Sequence, residues 1–320
     1  MELHEFSFPS TDGKTDLHGV EWRPEGEVQA VLQISHGVAE HILRYAPLAE
    51  FLTKQGVAVV GHDHLGHGTS VAPGAPRLYF GPLGSWDTVA EDLYRRSQLA
   101  RARFPGVPLF LLGHSMGSFL LRSFLLAHPS CVEGAVIVGT GEVPCSRLAA
   151  ALAGLECRRI GETQPSPFLL HLVFRVYNRR FAPNRTESDW ISKNPENVDA
   201  YCADPLCGGD PSAGLTREML RSFAQISSPA ALRQMDPETP ILFLSGAMDP
   251  VGSCGKGVRR VFHKFQSAGV QDLTCILYSE LRHEILNEAE RERVYGDLLR
   301  WLLEQLPHSG VRQREAGSPV

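Results

Sequence analysis

The sequence has no excess of positive charge. Lys and Arg number 31 against 36 Asp and Glu, a formal net charge of −5. That leaves no basic footprint for a nucleic acid, and no nucleic-acid partner is expected. No apolar run approaches the ~20 residues of a membrane-spanning helix. The opening Met1-Glu2-Leu3-His4-Glu5 has neither a basic nor an apolar leader region, so no signal peptide is expected. Cysteine is sparse: seven residues, with no Cys-x-x-Cys pair. An odd, irregular set suits reduced thiols and a cytoplasmic location better than a disulfide framework. Cys202 and Cys207 are the closest pair, but no His/Cys cluster surrounds them in the sequence, so no metal site is expected. Gly255-Lys256-Gly257 lacks both the following Ser or Thr and the upstream glycine of a phosphate-binding loop. There is no internal repeat. What remains is an ordinary globular mix, 43% apolar and 21% charged over 320 residues. That length suits one large α/β domain with an insertion, or two modest domains.

The apolar pattern alternates between short runs and helical periodicity. Strands are expected at His4–Pro9, Leu17–Trp22, Ala30–Ser35, Val57–Gly61, Leu109–Leu112, Gly134–Val138, Ile241–Ser245 and Leu273–Tyr278. Helices are expected at Leu48–Gln55, at Trp86–Phe104 with Ser85 as N-cap, and over Ser118–His128. Two more are expected at Lys256–Ser267 and Arg291–Leu306. This alternation implies a mostly parallel sheet with helices on both faces. It breaks between Gly141 and Pro237, where apolar helical stretches (Leu148–Leu155, Phe168–Val176, Met219–Phe223) replace strands. We therefore expect a core of residues 1–140 and 238–306, an inserted helical cap of residues 141–237, and a disordered tail of residues 307–320.

The chemistry-bearing stretch is Leu109–Gly117, Leu-Phe-Leu-Leu-Gly-His-Ser-Met-Gly. A buried strand turns into a helix at Ser115, the context in which Gly-x-Ser-x-Gly forms a nucleophile elbow. Gly113 and Gly117 flank the serine because side chains there would collide with the neighbouring strand and helix. A serine nucleophile needs an acid and a base, in the chain order Ser, Asp or Glu, His. Asp249 is the first carboxylate after the Ile241–Ser245 strand, at the strand end where catalytic groups gather. His283 sits in the loop after Leu273–Tyr278; the rival His263 lies within a helix beside Lys264 and reads as a surface residue. An oxyanion hole needs two backbone N–H groups. Met116, after the nucleophile, supplies one, and Val38, after His36-Gly37, is the candidate for the other. His62-x-His64-x-x-His67 resembles a metallo-hydrolase box, but Gly66 stands where its aspartate belongs, and a tight turn after a strand accounts for it better.

Taken together, several segments resemble the monoacylglycerol lipase and lysophospholipase-like group of α/β-hydrolases, a group that is also serine aminopeptidase-like. They are His36-Gly37-Val38-Ala39-Glu40-His41 with Arg44-Tyr45, His62 to Ser70, Gly113 to Gly117, Asp204-Pro205-Leu206, Asp249 to Gly252 and Arg282 to Glu288. The resemblance implies an α/β-hydrolase fold, a Ser115–Asp249–His283 triad with Val38 and Met116 as oxyanion donors, and no cofactor. It implies a serine hydrolase cleaving carboxylic esters, above all lipid monoesters. A small-molecule, lipid-derived ester and transient contact of the cap with a membrane surface are the expected interactions. One departure is Glu280, where the family has glycine three residues before the histidine; a larger side chain there is expected to alter the loop or narrow the site. The alternatives are an aminopeptidase or amidase of the same fold, or a binding protein with an idle triad. An amine substrate would need a cap carboxylate, for which Glu142, Glu156, Glu162, Glu187 and Asp189 are the candidates.

Overall fold

The computed structural model describes residues 1–143 and 145–306. The expected disordered tail, 307–320, lies outside the described residues. Eight strands form one sheet in the order β1-β2-β4-β3-β5-β6-β7-β8. They are β1 (Glu2–Pro9), β2 (Asp16–Arg23), β3 (Ala30–Ser35), β4 (Val57–His62), β5 (Leu109–His114), β6 (Gly134–Val138), β7 (Ile241–Gly246) and β8 (Leu273–Tyr278). β1 and β2 pair antiparallel, as do β2 and β4; every pairing from β4 to β8 is parallel. Strands β3 to β7 are buried along their whole length. Their continuous apolar runs are what a parallel sheet covered on both faces requires.

Side-chain alternation divides the core into two layers. Val31, Val60 and Leu111 enter one layer, and Leu32, Val59 and Leu112 the other. Helices α1 (Ala46–Thr53), α2 (Ser85–Arg103) and α3 (Met116–Ala127) follow β3, β4 and β5. Helix α2 begins differently from expectation. Gly84, in the left-handed region at φ 96°, occupies the N-cap, and Ser85 is the first helical residue. The end is capped from a distance: Glu218 Oε2 accepts the N–H groups of Gly84 (2.9 Å) and Trp86 (3.4 Å). A carboxylate there satisfies orphan amides and the positive end of the helix dipole together, so no local cap is needed.

Between β6 and β7 the described chain is helical: α4 (Ser146–Ile160), α5 (Pro167–Leu170), a π-helical turn (His171–Arg175), α6 (Val176–Asn178), α7 (Pro195–Ala203), α8 (Ala213–Ile226) and α9 (Pro229–Leu232). Helix α8 is tied to the sheet layer. Phe223 packs edge-on to Phe119 at 4.5 Å between ring centroids, and Arg122 donates to Ile226 O (3.0 Å) and Gly141 O (3.0 Å). Helices α10 (Lys256–Ala268) and α11 (Arg291–Glu304) complete the alternation. No described helix is long and apolar enough to cross a membrane.

Candidate active site

Ser115 is the single residue between β5 and α3. Its backbone sits at φ 53°, ψ −122°, a region that costs a non-glycine residue about 1–3 kcal/mol. Hydrogen bonds hold it there: Ser115 N–H donates to Val138 O (3.0 Å), and Ser118 Oγ donates to Ser115 O (2.6 Å). The two flanking glycines are required by close approach. A Cβ on Gly113 would lie 2.3 Å from Gly117 O, and one on Gly117 would lie 2.0 Å from Ser35 O.

Asp249 follows β7 and is completely buried. Its Oδ1 accepts the Val251 N–H (2.9 Å) and its Oδ2 meets His283 Nδ1 at 3.0 Å. A carboxylate at Nδ1 selects the tautomer with its proton there and leaves Nε2 free to accept one. The imidazole is 3% exposed, packed between Trp190 (ring centroids 5.0 Å apart) and His114 (4.8 Å). Ser115 and His283 line one cavity of about 540 Å³ without a direct hydrogen bond between them. Its apolar wall includes Val38, Leu170, Trp190, Ile191, Tyr201 and Pro211.

The loop after β3 brings Val38 to the same cavity. Met116 opens α3, so its N–H is one of the unpaired amides at a helix start. The loop is held by Glu40, whose Oε1 accepts from Gly37 N–H (2.5 Å) and Tyr45 Oη (3.0 Å) and faces His114 Nδ1 (3.1 Å). Arg44 donates to Glu40 (2.8 Å) and, through both terminal nitrogens, to Glu284 (2.7 Å each). One buried guanidinium thus ties the loop after β3 to the residue beside His283. Burial pushes the Glu40 carboxyl up, but the His114 bond and Arg44 outweigh it and hold it well below the usual range. Burial pushes the His114 imidazole down, and the Glu40 bond reverses this to a net rise. Sequence reasoning had quoted Glu40, Arg44 and Glu284 inside motifs and given them no role.

The histidines of the rejected metal box pack with His36 as a buried cluster of tilted and edge-on rings. His36 and His64 lie 4.3 Å apart between centroids, His62 and His64 5.0 Å, and His36 and His67 5.5 Å. Burial, with neighbouring His36, pushes both His62 and His67 down to about 3. The described side chains best suited to a cation are elsewhere: ligand atoms of His41, Asp204 and Cys207 lie within 4.8 Å of one another. His41 Nε2 and Asp204 Oδ2 are themselves 2.8 Å apart. All seven cysteines are free.

A family model described as serine aminopeptidase, S33, matches residues 26–290. The chain belongs to this family of hydrolases. Among its relatives, the monoglyceride lipase of Rattus norvegicus is 26% identical over 295 residues, covering 91% of this chain and 88% of the rat protein. The monoacylglycerol lipase of Mycolicibacterium smegmatis is 27% identical over 306 residues, covering 94% and 98%. Among solved structures, a thermostable carboxyl esterase from Bacillus coagulans, in complex with glycerol, superposes with a TM-score of 0.89 at 26% identity, covering 96% of this chain and all of that one. The eight-stranded sheet and these relatives make the chain a monoacylglycerol lipase-like α/β-hydrolase and a serine ester hydrolase.

One expectation about a side chain changes. Glu280 projects into solvent, 81% exposed and 3.8 Å from Lys193 Nζ, and does not narrow the cavity. Its backbone is not in the left-handed region, so the turn does not demand glycine. In the Phe168–Val176 stretch, Leu170 lines the cavity, whereas Leu169 packs against Ala153, Cys157 and Leu220, and Leu172 is exposed.

Proposed function

We propose that the protein hydrolyses lipid monoesters of the monoacylglycerol or lysophospholipid type through an acyl-enzyme on Ser115. The observation that carries this reading is one cavity shared by a strained elbow serine and an imidazole bonded to a buried carboxylate. His283 Nε2 takes the Ser115 proton as Oγ bonds to the acyl carbon, and Asp249 stabilises the imidazolium that forms. The carbonyl oxygen becomes an oxyanion facing the Val38 and Met116 N–H groups. Collapse breaks the ester C–O bond, and the imidazolium gives its proton to the leaving alcohol. Water, deprotonated by the same imidazole, then releases the acid. Every atom of this sequence comes from substrate, water and the chain; no cofactor takes part.

In this reading residues 1–140 and 238–306 form the catalytic core, and residues 141–237 a cap that selects the acyl chain. Leu170 and Ile191 support the second role by presenting apolar surface to the cavity. The outer side of the same segment supports transient contact with a membrane. Leu148, Leu155, Phe168 and Leu172 are exposed by 45–63%, and Arg147, Arg158, Arg179 and Arg180 in the same segment are exposed too. Exposed apolar and basic side chains in one segment suit an anionic lipid surface. Seven free thiols fit work in a reducing, cytoplasmic setting.

The test is fluorophosphonate labelling, followed by turnover of a monoacylglycerol series from C2 to C16. Labelling is expected to be lost in Ser115→Ala. Specificity is expected to rise with chain length by about 3- to 4-fold per buried methylene, at ~0.8 kcal/mol each, until the cavity is full. Labelling that persists in Ser115→Ala, or no turnover of any monoester, would overturn the reading.

A further inference from the structure

The catalytic cavity is asymmetric in charge. Four carboxylate side chains line it: Glu40, Glu187, Asp210 and Glu284. Two are neutralised. Glu40 and Glu284 share Arg44, and Glu40 also faces His114. Glu187 and Asp210 are exposed and have no hydrogen bond or ion pair among the described residues, and no Lys or Arg is among the described residues that line the cavity. Of the five carboxylates that an amine substrate might have used, four are engaged elsewhere. Glu142 pairs with Lys264, Glu156 with Arg159, Glu162 with Arg217, and Asp189 accepts from Thr186 (Oγ1, 2.6 Å). Glu187 alone among them reaches the cavity.

Its location relates it to one half of the substrate. His283 returns its proton to the leaving alcohol, so the alcohol half lies on the imidazole side of Ser115. Trp190 packs on that imidazole, and Glu187 lies three residues before Trp190, in the turn that Asp189 ties together. Asp210 also lines the cavity. It follows the glycine pair Gly208-Gly209, and the Gly208 N–H holds Ala39 O (2.8 Å) in the loop after β3. A leaving group in this cavity meets two uncompensated negative charges and an indole, a combination that favours a cation.

We propose that this cavity accepts fatty-acid esters whose alcohol half carries a positive charge, as in esters of quaternary amino alcohols, in preference to isosteric neutral or anionic esters, with Glu187 and Asp210 as the specificity determinants. The proposal rests on the ester-hydrolase reading of Ser115 and His283. At ~8 Å and an effective dielectric of ~40, one unit charge pair changes binding by a factor of about five.

The experiment compares three decanoyl esters at concentrations below micelle formation: decanoylcholine, its carbon isostere 3,3-dimethylbutyl decanoate, and 3-sulfopropyl decanoate. The expected order of kcat/KM is cation, neutral, anion, with about fivefold per carboxylate and so roughly 25-fold between neighbours at low salt. The order is expected to contract in about 0.5 M NaCl, where the Debye length falls to ~4 Å. It is also expected to contract in Glu187→Gln and further in Glu187→Gln with Asp210→Asn, read as the ratio between esters, not as any one rate. Three esters of equal kcat/KM in the unmodified protein, or an order that neither salt nor the double variant narrows, would overturn the charge proposal. Absence of turnover with all three would instead overturn the ester-hydrolase reading beneath it.

Discussion

The floor and the roof of the cavity are built by different rules. On the floor, Ser115, Asp249, His283, Glu40 and Glu284 are each less than a tenth exposed, and bonds within the floor fix their positions. The roof, between β6 and β7, has a helix broken by a π-helical turn, six large apolar side chains in solvent and two cavity-lining carboxylates without partners among the described residues. Chemistry tolerates little displacement of reacting groups, and the residues proposed to react, Ser115, Asp249 and His283, follow strands of a packed sheet. Selection of a chain or a headgroup needs surface that can face different molecules, and such surface is left unsatisfied in the free protein. Each prediction below tests whether floor and roof divide the work in this way.

The largest effect is expected on the floor. Asp249→Asn keeps the shape but presents an amide to Nδ1 and disturbs the imidazole tautomer; kcat is expected to fall by about 10³–10⁴ with little change in KM. Steady-state kinetics on p-nitrophenyl butyrate check it. A fall of comparable size from a roof substitution would break the comparison.

Next is Arg44→Met. The Arg44 side chain is 10% exposed and serves two buried carboxylates, so removal takes from both their only guanidinium among the described residues and leaves them neutral donors and His114. Loss of a partner from such a buried network costs about 3–5 kcal/mol. Denaturant unfolding is expected to show it, together with loss of activity, because the loop after β3 and the loop of His283 lose their shared tie. Unchanged stability would show that the network does not brace the floor.

Acid should also strike the floor side first. His62 and His67 titrate near 3 when folded and near ~6.5 when unfolded. Between those values the unfolded chain binds more protons, so stability falls as pH falls, by up to ~1.4 kcal/mol per pH unit for each group. His18 and His114, raised by their carboxylate partners, act in the opposite direction and soften the slope. Thermal unfolding from pH 7 to pH 4 measures the balance; a melting temperature that is flat or rises toward pH 4 would count against it.

The smallest effect belongs to the roof. Leu170→Asp is expected to lower kcat/KM for a C12 monoester several-fold while leaving a C2 ester within about twofold, since each lost methylene contact is worth ~0.8 kcal/mol. The measurement is the ratio of the two. Equal losses on both esters would mean that Leu170 supports the floor.

The sequence made the floor legible and the roof only partly so. Strands β3, β5, β6 and β8 begin where apolar runs predict, Ser115 directly follows β5, and Asp249 and His283 lie in the loops after β7 and β8. These features are local: a run, a turn, a residue after a strand. Arg44 was invisible as a tie because its partners lie 4 and 240 residues away, and nothing in a charge pattern marks a pairing across that distance. Ser85 looked like a cap because the real one, Glu218, arrives from α8. Leu170 carries no such local signal: the Phe168–Val176 stretch reads only as apolar and helical, and the π-helical turn at His171–Arg175 interrupts the 3.6-residue period by which a cavity-facing side would be read.

The contact between Trp190 and His283 also gives the molecule an optical reporter. Of the four tryptophans, Trp22, Trp86 and Trp301 are 1–4% exposed in the packed layers, whereas Trp190 is half-buried with its indole 5.0 Å from the imidazole. Trp190 also lines the cavity, so a ligand that enters it meets the one tryptophan outside the packed layers, and binding is expected to register as a change in emission without any chromogenic substrate.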